Sequence, residues 1–321
     1  MAETTISDMQ IFNTEFYTGS TESVAQATDF LNQNSLGAIT YAPVAARGDF
    51  KKAAFWNFVD LVQHRDDTST SAQTPATMGE GLAQWVKVKR MAKVVRITED
   101  ALKSTGRTLA DAVRAYGAQV GAQKVQDALN LGLLAANAAV GTVSELNATG
   151  YSTGAMSRAA LNAMLGKFGD RRNAVRVFAM HSSPYAGLLG DLITSGVSGL
   201  EDTVSVNGAI PATLGKSVIV TDSPAFVDDS GSDNLYSTLG LVQGAITLEE
   251  SDLESFAIER VTGLGNIAYD MQAEWAITIG IKGFAWDDTR NPSDATLAVG
   301  GNWAKVATSH KDCAGVRVVT L

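Results

Sequence analysis

Apolar positions recur every three or four residues from Leu109 to about position 139, which predicts one long helix. Thr108, followed three residues later by Asp111, has the spacing of a capping box at the start of this helix. At 1.5 Å per residue the helix would be about 45 Å long. Glycines at positions 117, 121 and 132 are poor helix formers that are best tolerated where another backbone approaches closely. The pattern therefore predicts a spine helix packed tightly against a second segment.

A period of two appears earlier in the chain, where Val86 and Val88 alternate with Lys87 and Lys89. This alternation is typical of a half-exposed strand with its lysines on the outer face. An apolar stretch at 55–62 precedes it, and a segment rich in Ser, Thr, Asp and Gly separates the two. We predict a long hairpin with a loose tip. A two-stranded ribbon is marginally stable alone, so it needs a surface to lie on.

Other segments show weaker patterns. Residues 1–37 are polar, with a possible short helix at 20–32, and are typical of an arm that gains order on another surface. From Gly150 to about Gly244 short strand-like and helix-like pieces alternate, which predicts a compact α/β unit. The last 75 residues are mostly strand, and Trp275, Ile277, Ile279 and Ile281 alternate with polar neighbours.

Charge is distributed unevenly along the 321 residues. The chain has 25 basic and 34 acidic residues, a net charge of −9 that disfavours tight binding of a phosphate backbone by the chain as a whole. Residues 38–98 nevertheless carry nine basic and five acidic side chains, or +4, whereas 222–294 carry fourteen acidic and three basic ones, or −11. Apolar residues make up 45%, enough for a sizeable core.

Candidate catalytic motifs all have simpler interpretations. The sequence GLGNIA at 263–268 fits a dinucleotide fingerprint, but the residues after it have the period of a strand, so the phosphate-binding helix is missing. His181-Ser182-Ser183 lacks a nucleophile elbow, and Ser183-Pro184 is better explained as a helix start. The paired acids at 228–229, 249–250 and 287–288 lack the spacing of a calcium loop. We predict no catalytic residue and no cofactor.

Cysteine and histidine are scarce. Cys313 is the only cysteine, so no disulfide forms within the chain, and His64, His181 and His310 are too far apart in sequence to suggest a metal site. The acidic, polar start predicts a protein without a signal or transit peptide that stays in the cytoplasm. The longest uncharged run, 128–144, is shorter than the roughly 20 apolar residues of a membrane span.

Four longer stretches carry a family resemblance. They are SRAALNAMLGKFGDRRNAVRVFAMHSSPYAGLL from Ser157, LGKSVIVTDSPAF from Leu214, ERVTGLGNIAYDMQAEWAITIGIKGFAWD from Glu259 and NPSDATLAVGGNWAKVATSHKDCAGV from Asn291. Over residues 36–321 the chain resembles the major capsid proteins of tailed bacteriophages with the Hong Kong 97 fold. The resemblance implies an α+β fold with an N-terminal arm (1–37), an extended β-hairpin loop (38–98), a peripheral domain with the spine helix (99–147), an α/β axial domain (148–249), and peripheral strands with a C-terminal tail (250–321).

The resemblance also implies a function and partners. A shell protein of this kind would assemble as pentamers and hexamers into an icosahedral virion capsid around double-stranded DNA, without sequence-specific binding, in the bacterial cytoplasm. Portal, scaffolding and decoration proteins are the other implied partners. The long N-terminal scaffolding region of some relatives is absent, which implies a separate scaffold or none, and we expect no lysine–asparagine cross-link. The alternatives left open are an encapsulin-like compartment and, from another class, a nucleotide-dependent enzyme.

The opposite local charges suggest how copies meet. We expect the basic side of the hairpin to dock on acidic positions of a neighbouring copy between 222 and 259, and the hairpin and C-terminal tail to become ordered only among such copies. Reversing Lys87 and Lys89 to Glu should then reduce assembly and leave the subunit folded. The interface candidates are Arg47, Lys51, Lys52, Lys87, Lys89, Arg90, Lys93, Asp228, Asp229, Glu249, Glu250, Asp252 and Glu254.

Overall fold

A computed structural model describes residues 6–42, 48–57, 67–68, 79–196, 213–263, 265–287 and 289–321. Six α-helices lie in these ranges: α1 (Ile6–Asn34), α2 (Glu99–Thr105), α3 (Leu109–Thr142), α4 (Arg158–Gly166), α5 (Ser182–Gly196) and α6 (Asp294–Leu297). The strands are β1 (Ile39–Ala42), β2 (Phe50–Asn57), β3 (Gly79–Met91), β4 (Val95–Thr98), β5 (Asn147–Ala148), β6 (Val175–Met180), β7 (Ser217–Val220), β8 (Val227–Asp228), β9 (Leu235–Val242), β10 (Ile246–Val261), β11 (Ala268–Ile281), β12 (Phe284–Trp286), β13 (Trp303–Lys305) and β14 (Gly315–Thr320).

The first sheet has the strand order β1-β10-β11-β3-β2, and β4 pairs with the far end of β11. Ile277 and Ile279 of β11 lie opposite Val88 and Val86 of β3, and all four side chains are buried. Helix α3 lies on this apolar face, since a Cβ added at Gly132 would come 2.9 Å from Ile246 of β10. The alternation of β11 is thus explained by one sheet face that packs against the spine helix.

The spine helix begins and packs as the sequence predicts. Thr108 and Asp111 form the capping box, and the helix continues three residues beyond the predicted end. Helix α1 crosses α3 at very short range: a Cβ at Gly117 would lie 2.4 Å from the carbonyl oxygen of Phe16, and one at Gly121 would lie 2.7 Å from that of Ser20. The two glycines therefore let two backbones touch. The polar arm contains a 29-residue helix, longer than predicted, that lies on the spine of its own chain.

The predicted hairpin is confirmed. Strands β2 and β3 pair antiparallel from Phe50↔Val86 to Asn57↔Gly79, whereas β3 pairs with β11 only from Val86 onward. Among the described residues, the hairpin therefore extends past β11 as a two-stranded ribbon. Near its base, the buried Gln84 donates to the carbonyl oxygen of Asp287, which directly follows β12. The predicted loose tip, 66–81, lies mostly outside the described residues.

A second sheet has the order β5-β14-β9-β6-β7, with β8 beside one end of β9. Helix α4 contributes Leu161, Met164 and Leu165 to its core, and β6 and β9 are buried for most of their length. A small third sheet pairs β12 with β13, where the rings of Trp286 and Trp303 meet edge to face with centroids 4.8 Å apart.

Two sequence expectations about the end of the chain are wrong. Strand β14 pairs with β9 from Gly315↔Leu241 to Thr320↔Tyr236, so the tail completes the second sheet of its own chain and does not need a neighbour for order. Residues 250–321 therefore do not form one unit with the first sheet. The predicted boundary at 249/250 falls inside β10. Hydrophobic alternation shows that a segment is a strand, but it does not show which sheet the strand joins.

Candidate assembly surfaces

The acidic residues of β10 are largely occupied within their own chain. Lys124, on the spine helix, is 2% exposed, and its Nζ lies 2.9 Å from Oε1 of Glu250 and 3.4 Å from Oε2 of Glu254. The hydroxyl of Ser20 in α1 donates to Glu254, and that of Tyr41 in β1 donates to Glu250 over 2.8 Å. Burial, with the Glu250 charge next, raises the pKa of Tyr41 well above its ordinary value. This cluster joins α1, α3, β1 and β10.

On the other face of the first sheet, Lys51 and Glu249 form an internal pair. Nζ of Lys51 lies 2.7 Å from Oε1 of Glu249, and the same ammonium lies 4.3 Å from the centroid of the Trp85 ring. Lys51 and Glu249 lie on β2 and β10, so their contact spans the two strands between them. Both residues were predicted to contact a neighbouring copy, and in this structure each has its partner within the chain.

The remaining hairpin candidates divide by exposure. Lys87 is only 7% exposed, which contradicts the expectation that it lies on a solvated face. Arg90 lies 3.1 Å from Asp127 of α3 through Nε and donates from Nη2 to Asp294 over 2.6 Å. Burial raises the pKa of Asp127, and the Arg90 charge opposes that shift. Lys52, Lys89 and Lys93 are exposed, and Arg47 lies outside the described residues.

The acidic candidates divide in the same way. Glu249, Glu250 and Glu254 are paired as above, and the side chain of Asp252 is outside the described part of the chain. Asp228 and Asp229 are exposed in the turn between β8 and β9. Asp228 accepts hydrogen bonds from the amide and the hydroxyl of Ser230, which lower the pKa of the carboxyl. The intermolecular role of all these residues remains a prediction.

Three basic side chains that the sequence analysis did not select meet at one end of the second sheet. Arg176 is exposed on β6, Lys216 directly precedes β7 beside it, and Arg172 lies in the short helical turn before β6. Burial, together with the positive charges of Arg176 and Arg172, lowers the pKa of Lys216. The adjacent arginines at 171–172 indicate local positive charge in the sequence. Only the register of β6 against β7 shows that Lys216 lies beside them.

Candidate catalytic groups have structural roles. Strand β11 begins at the last residue of the GLGNIA motif, so the motif leads into a strand and does not open a helix. Nδ1 of His181 accepts the amide hydrogen of Ser183 over 3.2 Å, and Asp222 accepts that of Ser182, as expected at the start of α5.

Cys313 is buried, and desolvation raises the pKa of its thiol to about 11, which leaves it protonated at neutral pH. Lys311, two residues before Cys313 in sequence, forms its ion pair with Asp170.

Two further features are absent from the described residues. Within those ranges, no group of three or more histidine, cysteine, aspartate or glutamate side chains is arranged to hold a metal ion. Among the helices whose residues are described, none has the length and apolar character of a membrane span.

Comparison with solved structures identifies the class of fold. The chain is similar to the capsid of cyanophage Pam1 (12% identity, TM-score 0.51, 85% of each chain covered), to that of Ralstonia phage GP4 (11% identity, TM-score 0.50, 88% of this chain and 87% of that chain) and to Mycobacterium phage Adephagia (8% identity, TM-score 0.52, 89% of each chain). The predicted capsid fold of the Hong Kong 97 type is therefore confirmed.

The family follows from the sequence itself. Residues 8–317 match the Gp13-like family, described as major capsid protein 13-like, so the chain belongs to that family of major capsid proteins. No curated protein matches it. Self-association into a virion shell is thus its function, and neither the encapsulin-like nor the enzymatic alternative gains support.

Proposed function

We propose that this capsid protein builds its shell from pentamers and hexamers, and that the shell encloses double-stranded DNA without reading its sequence. The observation that carries the proposal is the ribbon formed by β2 and β3, which extends past β11. Its described residues include exposed apolar side chains, Leu82 among them at 42%. Because a free two-stranded ribbon is marginal in water, a neighbouring subunit supplies the missing surface.

The first sheet with its spine helix is then the peripheral domain, and the second sheet is the core of the axial domain at the centre of each capsomer. Portal, scaffolding and decoration proteins complete the set of partners, and assembly takes place in the bacterial cytoplasm. The protein catalyses no reaction in this role. A net charge of −9 suits a lining that lets DNA be packed and released, because it limits nonspecific phosphate binding.

Charge on the hairpin provides the first test. Lys89 and Lys93 are exposed, so changing both to Glu should reduce the yield of particles on a density gradient while the circular dichroism of the subunit stays unchanged. Lys87 is left intact because reversing a buried lysine would test folding instead. The matched control changes Arg107 and Lys305, which are exposed outside the hairpin, to Glu. Equal yields for all three proteins would contradict a charged role for the hairpin.

The content of the shell needs a separate test. Particles purified from infected or expressing cells are treated with nuclease, and the protected nucleic acid is sized after the protein is removed. Protected double-stranded DNA of genome length supports the proposal. Intact shells that contain protein cargo and no DNA would contradict it.

A further inference from the structure

Two charged surfaces lie at opposite ends of the second sheet. The basic patch consists of Arg172, Arg176 and Lys216, and the acidic turn consists of Asp228, Asp229 and Asp233. Arg176 lies between Val175 and Val177, which pair with Val242 and Leu241 at the carboxyl end of β9. Asp228 pairs with Leu235 at the amino end of the same strand. Seven residue steps along a strand separate the two by roughly 23 Å.

Both surfaces also lie on the same side of β9. Strand β14 occupies one edge of β9 from Tyr236 to Leu241, so β6 and β8 share the other edge. The subunit therefore presents positive charge at one end of this edge and negative charge at the other. If the positive end of each copy meets the negative end of the next copy and the contact repeats in one direction, the contact is head to tail, and it closes into a ring when the rotation is right.

Within the described ranges, none of the six charged side chains of these surfaces forms an ion pair. Neighbouring cations at the basic end do have one: Arg171 pairs with Asp312, and Lys311 pairs with Asp170. In contrast, Arg172 donates from Nη2 to the neutral amide oxygen of Asn162, at 3.4 Å. At the acidic end, Asp228 is bonded to Ser230 of its own turn, and the charge of Arg317 also lowers the pKa of its carboxyl group.

We propose that the basic patch of one copy binds the acidic turn of the next copy around each capsomer ring. The inference rests on the proposed function, and it names the residues that join adjacent axial domains. It also means that Asp228 and Asp229 contact the basic patch of a neighbouring copy and not its hairpin. An isologous contact would pair each basic patch with the acidic turn of the other copy and would end at a dimer, whereas a ring uses the same two surfaces head to tail. Complementary charge of this kind mainly sets orientation and rate of association, and it weakens with salt.

The test uses charge reversal and rescue in the full-length chain. One variant carries Arg172→Glu and Arg176→Glu, a second carries Asp228→Lys and Asp229→Lys, and a third combines all four changes. Each of the first two should raise the protein concentration needed for half assembly about tenfold at low salt, as expected for a few modest ion pairs acting together. The combined variant restores opposite charges across the contact and should recover assembly to near the level of the unchanged protein.

Native mass spectrometry and sedimentation measure rings and particles, and circular dichroism checks that each subunit is folded. Normal assembly by both reversal variants, or a combined variant that stays defective, would overturn the inference. If the basic variant assembles normally but its particles protect less DNA, the patch binds phosphates and the inference is again wrong.

A control addresses acids of the same chain. Glu201 and Asp202 lie between α5 and β7, outside the described residues, and precede Lys216 in sequence. Changing them to Gln and Asn should leave assembly unaltered. A loss equal to that of the basic-patch variant would show that the patch is neutralised within the subunit, which would overturn the inference. The unchanged protein is run in parallel: if it forms no shell at all, the proposed function fails and not merely this contact.

Discussion

The charged residues around the spine helix and those at the ends of the second sheet have similar chemistry and different surroundings. Lys124 is almost completely buried and contacts two glutamates within the chain, whereas Arg176 is exposed and has another cation, Lys216, as its neighbour. A buried charge without a partner is costly, so burial forces pairing inside the subunit. An exposed charge tolerates a missing partner and remains available to another molecule.

This difference separates residues that hold the subunit together from residues that are free to join subunits. Among the candidates selected from sequence, Lys51, Glu249, Glu250 and Glu254 belong to the first group. Lys89, Lys93, Asp228 and Asp229 are exposed and belong to the second group. Local charge counts mix the two groups because they contain no information on burial.

The largest expected effect comes from Lys124→Met. The change leaves the Glu250 and Glu254 carboxylates, 24% and 12% exposed, without their cation. Breaking such a buried pair from one side should cost about 3 kcal/mol of unfolding free energy. Chemical denaturation of unassembled subunits measures this loss. The control is Lys89→Met, the same change at an exposed site, which should alter the free energy of unfolding by no more than about 0.5 kcal/mol. Comparable values for the two variants would show that burial does not distinguish these lysines.

A medium effect is expected where the arm crosses the spine. In Gly117→Ala the new methyl group would lie 2.4 Å from the Phe16 carbonyl oxygen, so α1 and α3 must move apart at a cost of about 2 kcal/mol. Gly166→Ala is the control, since its Cβ has no atom within 4 Å and should leave the subunit as stable or slightly more stable. Thermal unfolding compares them. If both variants melt alike, the close crossing is absent in solution.

The smallest effect should have the opposite sign. Arg176→Gln removes a like charge beside Lys216, so the isolated subunit should gain about 0.3 kcal/mol of stability, and the pKa of Lys216 should rise toward its ordinary value. Chemical denaturation measures the stability of the isolated subunit, and an NMR titration measures the pKa of Lys216. Assembly should weaken at the same time. A variant that loses both stability and assembly would indicate that Arg176 has an internal partner.

Several elements were predictable because their determinants are local. The capping box of Thr108, the alternation of β11 and the two halves of the hairpin each depend on residues close in sequence, and all three are confirmed. The glycines at 117 and 121 correctly indicated a close backbone, although the sequence did not identify α1 as the segment that supplies it. Strand partners are harder to predict because pairing depends on distant residues: the sequence did not indicate that β14, in the C-terminal tail, pairs with β9 of its own chain.

The candidate surfaces were less predictable than the fold. Lys87 was assigned to a solvated face because its strand alternates, yet both faces of β3 are covered there and its side chain is 7% exposed. The sequence gives no sign that Lys216 belongs to a cluster, because it is an isolated lysine. The pairing of β6 with β7 brings it close to Arg172 and Arg176.

The sequence alone determined the elements of this protein, the capsid family to which it belongs and the unequal distribution of charge along the chain. These depend on residue type and short-range spacing, which a linear chain displays directly. Only the tertiary structure decided which charges are buried and paired, that the tail completes the second sheet, and that opposite charges lie at the two ends of β9. Burial and pairing are relations between residues far apart in sequence, and the packing of the folded chain sets them.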